Sequence, residues 1–229
     1  MLFQMQQYRE ASPERTQLLG ILTHVLFGLE PTDEELVFKC SEKIYEEEPS
    51  LVLRCFIDEK GMICHLNIYH IVKHLQHLTE GEPSVYQRNK LALQYLSVVV
   101  PHITPTAAQL PADHNLVHLL AAMYIETIKD LKTHDEVDHA LVDDLQQSLH
   151  SLLIEQSTYL PEELLKVLPE GDMMEERCVI LSKMHEHEKA LDILLYSLHS
   201  LEKAYQYCQD CCEREDPRDQ GVYQVLVHV

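Results

Sequence analysis

Apolar residues recur at three- and four-residue spacings between residues 187 and 211, which is the period of a helix that buries one face. Ser200 divides this segment into two stripes, and its hydroxyl can accept a hydrogen bond from the first turn of the second helix. A third stripe lies upstream, over residues 178–184. The pattern predicts three short helices. We expect the following residues to pack within and between helical repeats: Leu181, Ala190, Leu191, Leu194, Leu198, Leu201, Ala204, Tyr205 and Cys208.

A polar corner at residues 185–187, with the sequence HEH, joins the first two of these helices. Two helices connected by so few residues pack antiparallel. Because one such pair cannot bury both of its faces, its apolar edge requires another pair stacked alongside. A faint similarity between residues 139–152 and 189–201 agrees with a helical repeat. The sequence therefore predicts an all-α fold, an α-solenoid of stacked antiparallel helix hairpins.

Helix and loop signals continue through the rest of the chain. The sequence TDEE at residues 32–35 has the form of a capping box and predicts a helix start. Pro101, Pro105 and Pro111 each lack the backbone donor that a helix needs, which predicts a loop. The final residues form an unfinished apolar run, VYQVLVHV. We expect N-terminal helical repeats over residues 1–100, a Pro-rich loop over 101–114, and C-terminal repeats over 115–229 that continue beyond the chain end.

Composition supports the helical class and narrows the range of functions. Six glycines and no tryptophan in 229 residues leave little material for tight hairpins or glycine-rich ligand loops. The chain has 18 Lys and Arg residues against 38 Asp and Glu, a formal net charge of −20. Such a charge repels nucleic acid and anionic lipid. We therefore expect no nucleic-acid partner and no polybasic membrane anchor.

Cysteine usage and the N-terminal apolar run indicate the compartment. The seven cysteines are an odd number without a framework spacing, which suits a reducing, cytoplasmic environment. The apolar run over residues 18–29 is too short to span a bilayer, contains His24 and lacks a small-residue cleavage site. We expect a buried core helix there rather than a signal peptide. Any membrane association is then expected to be peripheral and to come through partners.

Two groups of residues have the spacing of metal ligands. His70, His74 and His77 lie on one face of a predicted helix, where we expect surface imidazoles rather than a zinc site because the rest of a zinc motif is missing. For the second group we expect small buried thiols, because no further ligand pair follows it: Cys208, Cys211 and Cys212. The sequence contains no P-loop, dinucleotide fingerprint or hydrolase motif. We expect no enzyme activity, no catalytic residue and no cofactor.

The segment LSKMHEHEKALDILLYSLHSLEKAYQYCQDCCEREDP, residues 181–217, resembles the clathrin-heavy-chain-type repeats of the CORVET and HOPS family of endosomal tethering subunits. Residues 91–100, LALQYLSVVV, and 114–128, HNLVHLLAAMYIETI, resemble an earlier portion of the same family. Two positions depart from the family pattern. Ser182 stands where the family usually has glycine, and Ser200-Leu201 where it often has Asp-Phe.

The resemblance implies a large protein with an N-terminal propeller-like domain, a helical solenoid and a zinc-binding C-terminal end, of which this chain would be part of the solenoid. It implies a non-enzymatic scaffold on early and late endosomes. The partners implied are other vacuolar-sorting tethering subunits and a Rab GTPase, reached indirectly or through other regions. An alternative is a helical-repeat adaptor for receptor cytoplasmic tails or chaperones without a tethering role. A more distant alternative is a metal-dependent enzyme whose metal is bound by His70, His74 and His77.

Overall fold

A computed structural model describes residues 13–102, 115–133, 138–214, 216–219 and 221–228, with the side chains described from residue 16 onward. Within these ranges the regular elements are helices, and the extended pairing is a single isolated bridge between Ile57 and Ile63. Contacts divide the chain into two compact units, Met1–Ile103 and Thr104–Val229. In each unit, helices adjacent in sequence pack on one another. The predicted all-α class, with helix pairs stacked as in an α-solenoid, is confirmed.

Over its described residues, 13–102, the first unit consists of four α-helices and short 3-10 segments. Its α-helices are α1 Pro13–Phe27, α2 Glu34–Glu47, α3 Ile68–Leu78 and α4 Val85–Val99, and its 3-10 segments are Pro31–Asp33, Pro49–Cys55 and Val100–His102. The Asn67 side chain caps α3, and the Ser84 hydroxyl caps α4 by accepting a hydrogen bond from the Gln87 backbone N–H. Fully buried side chains from these elements form the core of the unit, among them Ile44, Val52, Phe56, Ile71 and Tyr95.

Two N-terminal predictions can be compared with the first unit. The apolar run over residues 18–29 lies largely in α1, which buries Leu19, Leu22 and Leu26 as expected of a core helix. The predicted helix start at residues 32–35 is present, but the capping-box bond is not formed. Instead, the 3-10 turn Pro31–Asp33 leads directly into α2. Proline at the first helical position fixes a helical φ without needing a side-chain cap.

The second unit contains the C-terminal hairpins. Its α-helices are α5 Leu116–Thr133, α6 His139–Glu155, α7 Pro161–Val167, α8 Met174–Lys183, α9 His187–Asp192, α10 Leu201–Glu213 and α11 Val222–His228. A π-helical segment, Ile193–Ser197, continues α9, and a 3-10 turn, Pro217–Asp219, precedes α11. Helix α5 packs on α6, α6 and α7 pack on α8, α8 packs on α9, and α10 packs on α11. None of the helices described in either unit combines the length and apolarity needed to cross a membrane.

The predicted Pro-rich loop over residues 101–114 falls mostly outside the described residues, since only 101 and 102 are described, in a 3-10 turn. The proposed division at this loop stays a prediction.

Candidate functional site

The corner between α8 and α9 is a Schellman motif. The Glu186 N–H donates to the Leu181 carbonyl over 3.0 Å, and the His185 N–H donates to the Ser182 carbonyl over 3.1 Å. His185 itself is left-handed, with φ of 59°. Glycine usually occupies this position, so a histidine there accepts backbone strain. The motif satisfies the last carbonyls of α8 and brings α9 back against it. The polar corner predicted from the sequence is therefore confirmed.

Beneath this corner, α8, α9, α10 and α11 bury one apolar cluster. Its buried members are Cys178, Leu191, Leu194, Ala204, Cys208, Cys211 and Val222. Leu181 and Ala190 are buried as well, and Leu198 is partly buried against the cluster. The Ser200 hydroxyl caps α10 by accepting a hydrogen bond from the Lys203 N–H over 3.3 Å, as predicted. That these side chains also join neighbouring repeats stays a prediction.

Two of the predicted packing residues are instead exposed: Leu201 by 68% and Tyr205 by 58%. The reason is the direction of α10, whose buried face carries Ala204, Cys208 and Cys211. At 100° per residue, Leu201 and Tyr205 fall on the flank of that face. The Tyr205 ring lies 6.0 Å from the Tyr223 ring of α11, between centroids. We call Leu201, Tyr205 and Tyr223 the outer face.

Several polar side chains next to the apolar cluster converge on the buried carboxylate of Asp219. His185 Nδ1 lies 2.7 Å and His187 Nε2 lies 3.1 Å from Asp219 Oδ1. His187 Nδ1 lies 2.7 Å from the hydroxyl oxygen of Tyr207. Arg214 Nε lies 3.5 Å from Asp219 Oδ2. We call these five residues the histidine–aspartate cluster. They come from the α8–α9 corner, from α10 and its C-cap residue Arg214, and from the 3-10 turn before α11, so they connect three segments.

Arg214 also connects this cluster to the apolar one. Its guanidinium donates to the Ser182 hydroxyl and lies near Cys211 Sγ, each over 2.7 Å. Ser182 is thus a hydrogen-bond acceptor where the resembled family usually has glycine. Burial raises the pKa of the Cys211 thiol, and the nearby Arg214 charge opposes that shift only in part. Burial also raises the pKa of the Tyr207 hydroxyl, which remains protonated and able to donate.

The sequence pattern indicates only a corner at residues 185–187 and does not identify Tyr207, Arg214 or Asp219 as members of a site. A His-x-His pair is the one local signal that the sequence offers. Asp219 is 34 residues from His185, and only the turn ahead of α11 brings them together.

The three histidines of α3 do not converge. His74 is buried, with its Nε2 2.8 Å from the Ser41 hydroxyl and its ring stacked 4.3 Å from Phe38. Burial lowers the pKa of His74 to about 4, so its ring is neutral near pH 7. His70 and His77 pair separately with carboxylates of Glu34 and Glu80. The expectation of surface imidazoles is therefore wrong for His74, because α2 covers it.

The cysteines carry no disulfide, and six of the seven are buried. Within the group on α10, Cys208 and Cys211 are buried thiols as predicted, whereas Cys212 is exposed on the flank of the helix. Burial raises the pKa of Cys208 to about 11, so this thiol stays protonated and behaves as a small apolar group.

A groove of about 480 Å³ runs between α6, α8 and α10. Apolar side chains of Ile154, Val179 and Leu194 line it, together with the cationic side chains of Lys183, Lys203 and Arg214. Lys203 is paired with Glu175. Burial and the Arg214 charge lower the pKa of Lys183. The carboxylates of Glu175 and Asp210 also line the groove, so it combines an apolar floor with charged side chains of both signs.

Comparison with known proteins places the chain among vacuolar sorting proteins. No family model and no solved structure matches it significantly. Vacuolar sorting protein 39 of Arabidopsis thaliana is 38% identical over 184 residues, covering 77% of this chain and 16% of that protein. The Vacuolar protein sorting-associated protein 39 homolog of Drosophila melanogaster is 23% identical over 195 residues, covering 84% of this chain and 20% of that protein. Transforming growth factor-beta receptor-associated protein 1 of Homo sapiens is 30% identical over 111 residues, covering 48% of this chain and 13% of that protein.

The chain thus spans a fifth or less of the length of these relatives. Their names agree with the resemblance found in residues 181–217. The chain is a homologue of a segment of the vacuolar sorting protein 39 and transforming growth factor-beta receptor-associated proteins.

Proposed function

We propose that this chain is a non-enzymatic scaffold segment of an endosomal vesicle-tethering subunit, and that it mediates protein–protein contacts in endosomal and lysosomal trafficking and fusion. Its homology to vacuolar sorting proteins supports this role. The packed helix hairpins support it as well, because stacked helices expose much surface for their length and each hairpin contacts mainly its neighbours.

The observation that carries the proposal is the outer face. Leu201 and Tyr205 are more than half exposed, and Tyr223 is 37% exposed beside Tyr205. Tyrosines at protein interfaces bury a large ring while keeping a hydroxyl for hydrogen bonding, and they often dominate binding energy. The apolar cluster packs α10 and α11 together, so the outer face lies on two helices that are held in place by a buried core. We assign the outer face as a contact surface for another vacuolar-sorting tethering subunit.

The remaining partners follow from the same proposal. A Rab GTPase is reached indirectly or through other regions of the protein, and the membrane is reached peripherally through partners. The protein then acts in the cytoplasm, on the surface of early and late endosomes. The strong negative charge argues against a nucleic-acid partner.

The groove between α6, α8 and α10 favours a second candidate, a helical-repeat adaptor without a tethering role. Its apolar floor suits the apolar residues of a short peptide, and Lys183, which lies beside that floor, suits an acidic residue of the same peptide, such as a segment of a receptor cytoplasmic tail. Lys203 is already paired with Glu175. The two functions use different surfaces, because the groove residues lie on α6, α8 and the side of α10 away from Tyr205.

Affinity purification of the full-length protein from cells tests the proposal. Tagged parent protein is compared with the double variant Leu201→Ala/Tyr205→Ala and with Glu202→Ala, an exposed control on the same helix. We expect the parent and the control to recover other vacuolar-sorting subunits, and the double variant to lose them while staying folded. If the parent instead recovers receptor tails without such subunits, and Lys183→Ala abolishes that recovery, the protein is an adaptor. Full recovery by the double variant would refute the assignment of the outer face.

A further inference from the structure

We propose that His185, His187 and Asp219 bind one divalent transition-metal ion of the zinc class, at the junction between the α8–α9 corner and the turn before α11. This inference is independent of the tethering role, because none of the three residues belongs to the outer face.

The distances among the three side chains fit a shared ion. One ligand atom from each residue lies within 4.8 Å of the other two. The two imidazole nitrogens lie 2.7 Å and 3.1 Å from the same carboxylate oxygen, Asp219 Oδ1. In a tetrahedral zinc site with bonds of about 2.0–2.1 Å, neighbouring ligand atoms are about 3.3 Å apart. Small side-chain rotations would therefore place the three atoms around one ion.

Unsatisfied polar atoms inside the cluster are the second, independent observation. His187 Nε2 and Asp219 Oδ2 are both buried and lack a hydrogen-bond partner among the described residues. The side chains that carry them are only 9% and 2% exposed. Although His187 Nε2 lies 3.1 Å from Asp219 Oδ1, the contact lacks hydrogen-bond alignment. Arg214 faces Asp219 Oδ2 from 3.5 Å, whereas His187 Nε2 is buried without such a partner, which is unfavourable. An ion between His187 Nε2 and Asp219 Oδ1 would supply the missing partner for Nε2.

The hydrogen bond on the far side of the His187 ring sets the ring up as a metal ligand. Nδ1 lies 2.7 Å from the Tyr207 hydroxyl. When Nδ1–H donates to that oxygen, the proton is held on Nδ1 and the lone pair of Nε2 faces Asp219. Metal-binding histidines are generally oriented in this way, by a partner on their second nitrogen. For His185, the carboxylate of Asp216 lies 4.0 Å from Nε2 and occupies the corresponding position at longer range.

The remaining neighbours limit what the site can hold. Two imidazoles and one carboxylate form an N₂O donor set, which suits Zn²⁺, Co²⁺ or Ni²⁺ better than the oxygen-seeking Ca²⁺ or Mg²⁺. Cys211 Sγ lies 4.0 Å from His187 Nδ1, on the side of the ring that faces away from Asp219, so it is not a ligand. Arg214 faces Oδ2 from 3.5 Å and leaves Oδ1 for the ion. Water would complete the coordination.

The test uses the purified full chain with added Zn²⁺ or Co²⁺, in a Cys212→Ser background that removes the exposed thiol. His185→Asn and Asp219→Asn are compared with the parent and with His77→Gln, an exposed histidine outside the cluster. Asparagine tolerates the left-handed backbone of residue 185, so His185→Asn removes the imidazole with little strain. Circular dichroism verifies that each variant is folded.

We expect the parent and His77→Gln to bind one ion per chain by calorimetry, and Co²⁺ to give visible absorption bands of a four- or five-coordinate ion. Both cluster variants should bind at least about tenfold more weakly. If the parent binds far less than one ion per chain, these residues form no metal site. The same conclusion follows if His185→Asn and Asp219→Asn are folded and bind the ion with the affinity of the parent. The cluster would then be a hydrogen-bonded clamp only.

Discussion

His187 Nδ1 and the Tyr207 hydroxyl oxygen lie 2.7 Å apart, which links the first residue of α9 to the middle of α10. Both side chains are packed beside the apolar cluster, where the two rings also meet edge to face with their centroids 6.0 Å apart. A polar pair in such surroundings orients the two helices, because removing either group deprives the other of its 2.7 Å hydrogen bond.

Tyr207→Phe tests this link directly. The change removes only the hydroxyl and leaves His187 Nδ1 without its partner, so we expect the free energy of unfolding to fall by about 1–3 kcal/mol. Urea unfolding followed by circular dichroism measures it, since the chain has no tryptophan. The matched control is Tyr205→Phe on the exposed outer face, for which we expect a change within about 0.5 kcal/mol. Equal urea midpoints for Tyr207→Phe and Tyr205→Phe would show that the bond between His187 and Tyr207 contributes nothing to stability.

Leu194→Asp tests the packing of the terminal hairpin. Leu194 is 5% exposed within the apolar cluster, and a carboxylate placed there would lose most of its hydration among apolar side chains. We expect destabilisation by several kcal/mol, comparable with the whole stability of a domain. Glu188→Ala, at the exposed start of α9, should change the stability by less than about 0.5 kcal/mol. A Leu194→Asp variant that unfolds at the parent's urea midpoint would contradict the observed packing.

Ser200→Ala tests the start of α10. The Ser200 hydroxyl accepts a hydrogen bond from the Lys203 N–H, and the change leaves that donor unsatisfied. A lost N-cap lowers stability by about 1 kcal/mol. Ser197→Ala, at an exposed position in the preceding π-helical segment, provides the control in the same unfolding experiment. Equal effects of the two substitutions would mean that the cap has no specific role.

The stability of the first unit should depend on pH through His74. Burial lowers its pKa from 6.5 to about 4, opposed by Glu42 and assisted by His77. The folded state therefore binds this proton less readily than the unfolded state. The contribution of a neutral His74 is present above pH 6.5 and is lost progressively as the pH falls to about 4, by up to roughly 3 kcal/mol.

Urea unfolding at several pH values between 7.5 and 4.5 checks this dependence. His74→Gln retains a group that can bond to Ser41 but does not titrate, so the loss of stability on acidification should be smaller in this variant. His77→Gln should keep most of the parent's slope, because His77 contributes less than burial to the lowered pKa of His74. If His74→Gln and the parent lose the same stability over this interval, the titration of His74 is not the cause.

Much of the fold follows from local signals. The spacing of Ala190, Leu191 and Leu194 predicted a buried helical face, and the Ser200 cap and the corner at residues 185–187 are where the sequence placed them. These features depend on interactions within a few residues. Periodicity did not define the edge of the buried stripe, because Leu201 and Tyr205 lie only a fraction of a turn from Ala204 yet face outward.

The candidate site was less predictable, because its contacts join distant segments. Asp219 meets His185 only after the chain has completed α10 and the following turn. His74 is likewise buried by Phe38 and Ser41 of another helix, which no spacing within α3 reveals. The sequence indicated these histidines but not the side chains that contact them.

The most direct test of the scaffold role is the subunit stoichiometry of the full-length protein purified from cells at its natural expression level. Quantitative mass spectrometry of the gently eluted complex would measure each co-purifying protein relative to the tagged subunit. We predict other vacuolar-sorting tethering subunits at close to one copy each, persisting through size-exclusion chromatography. Recovery of the protein as a free chain, or with receptor tails or chaperones in place of those subunits, would contradict the account.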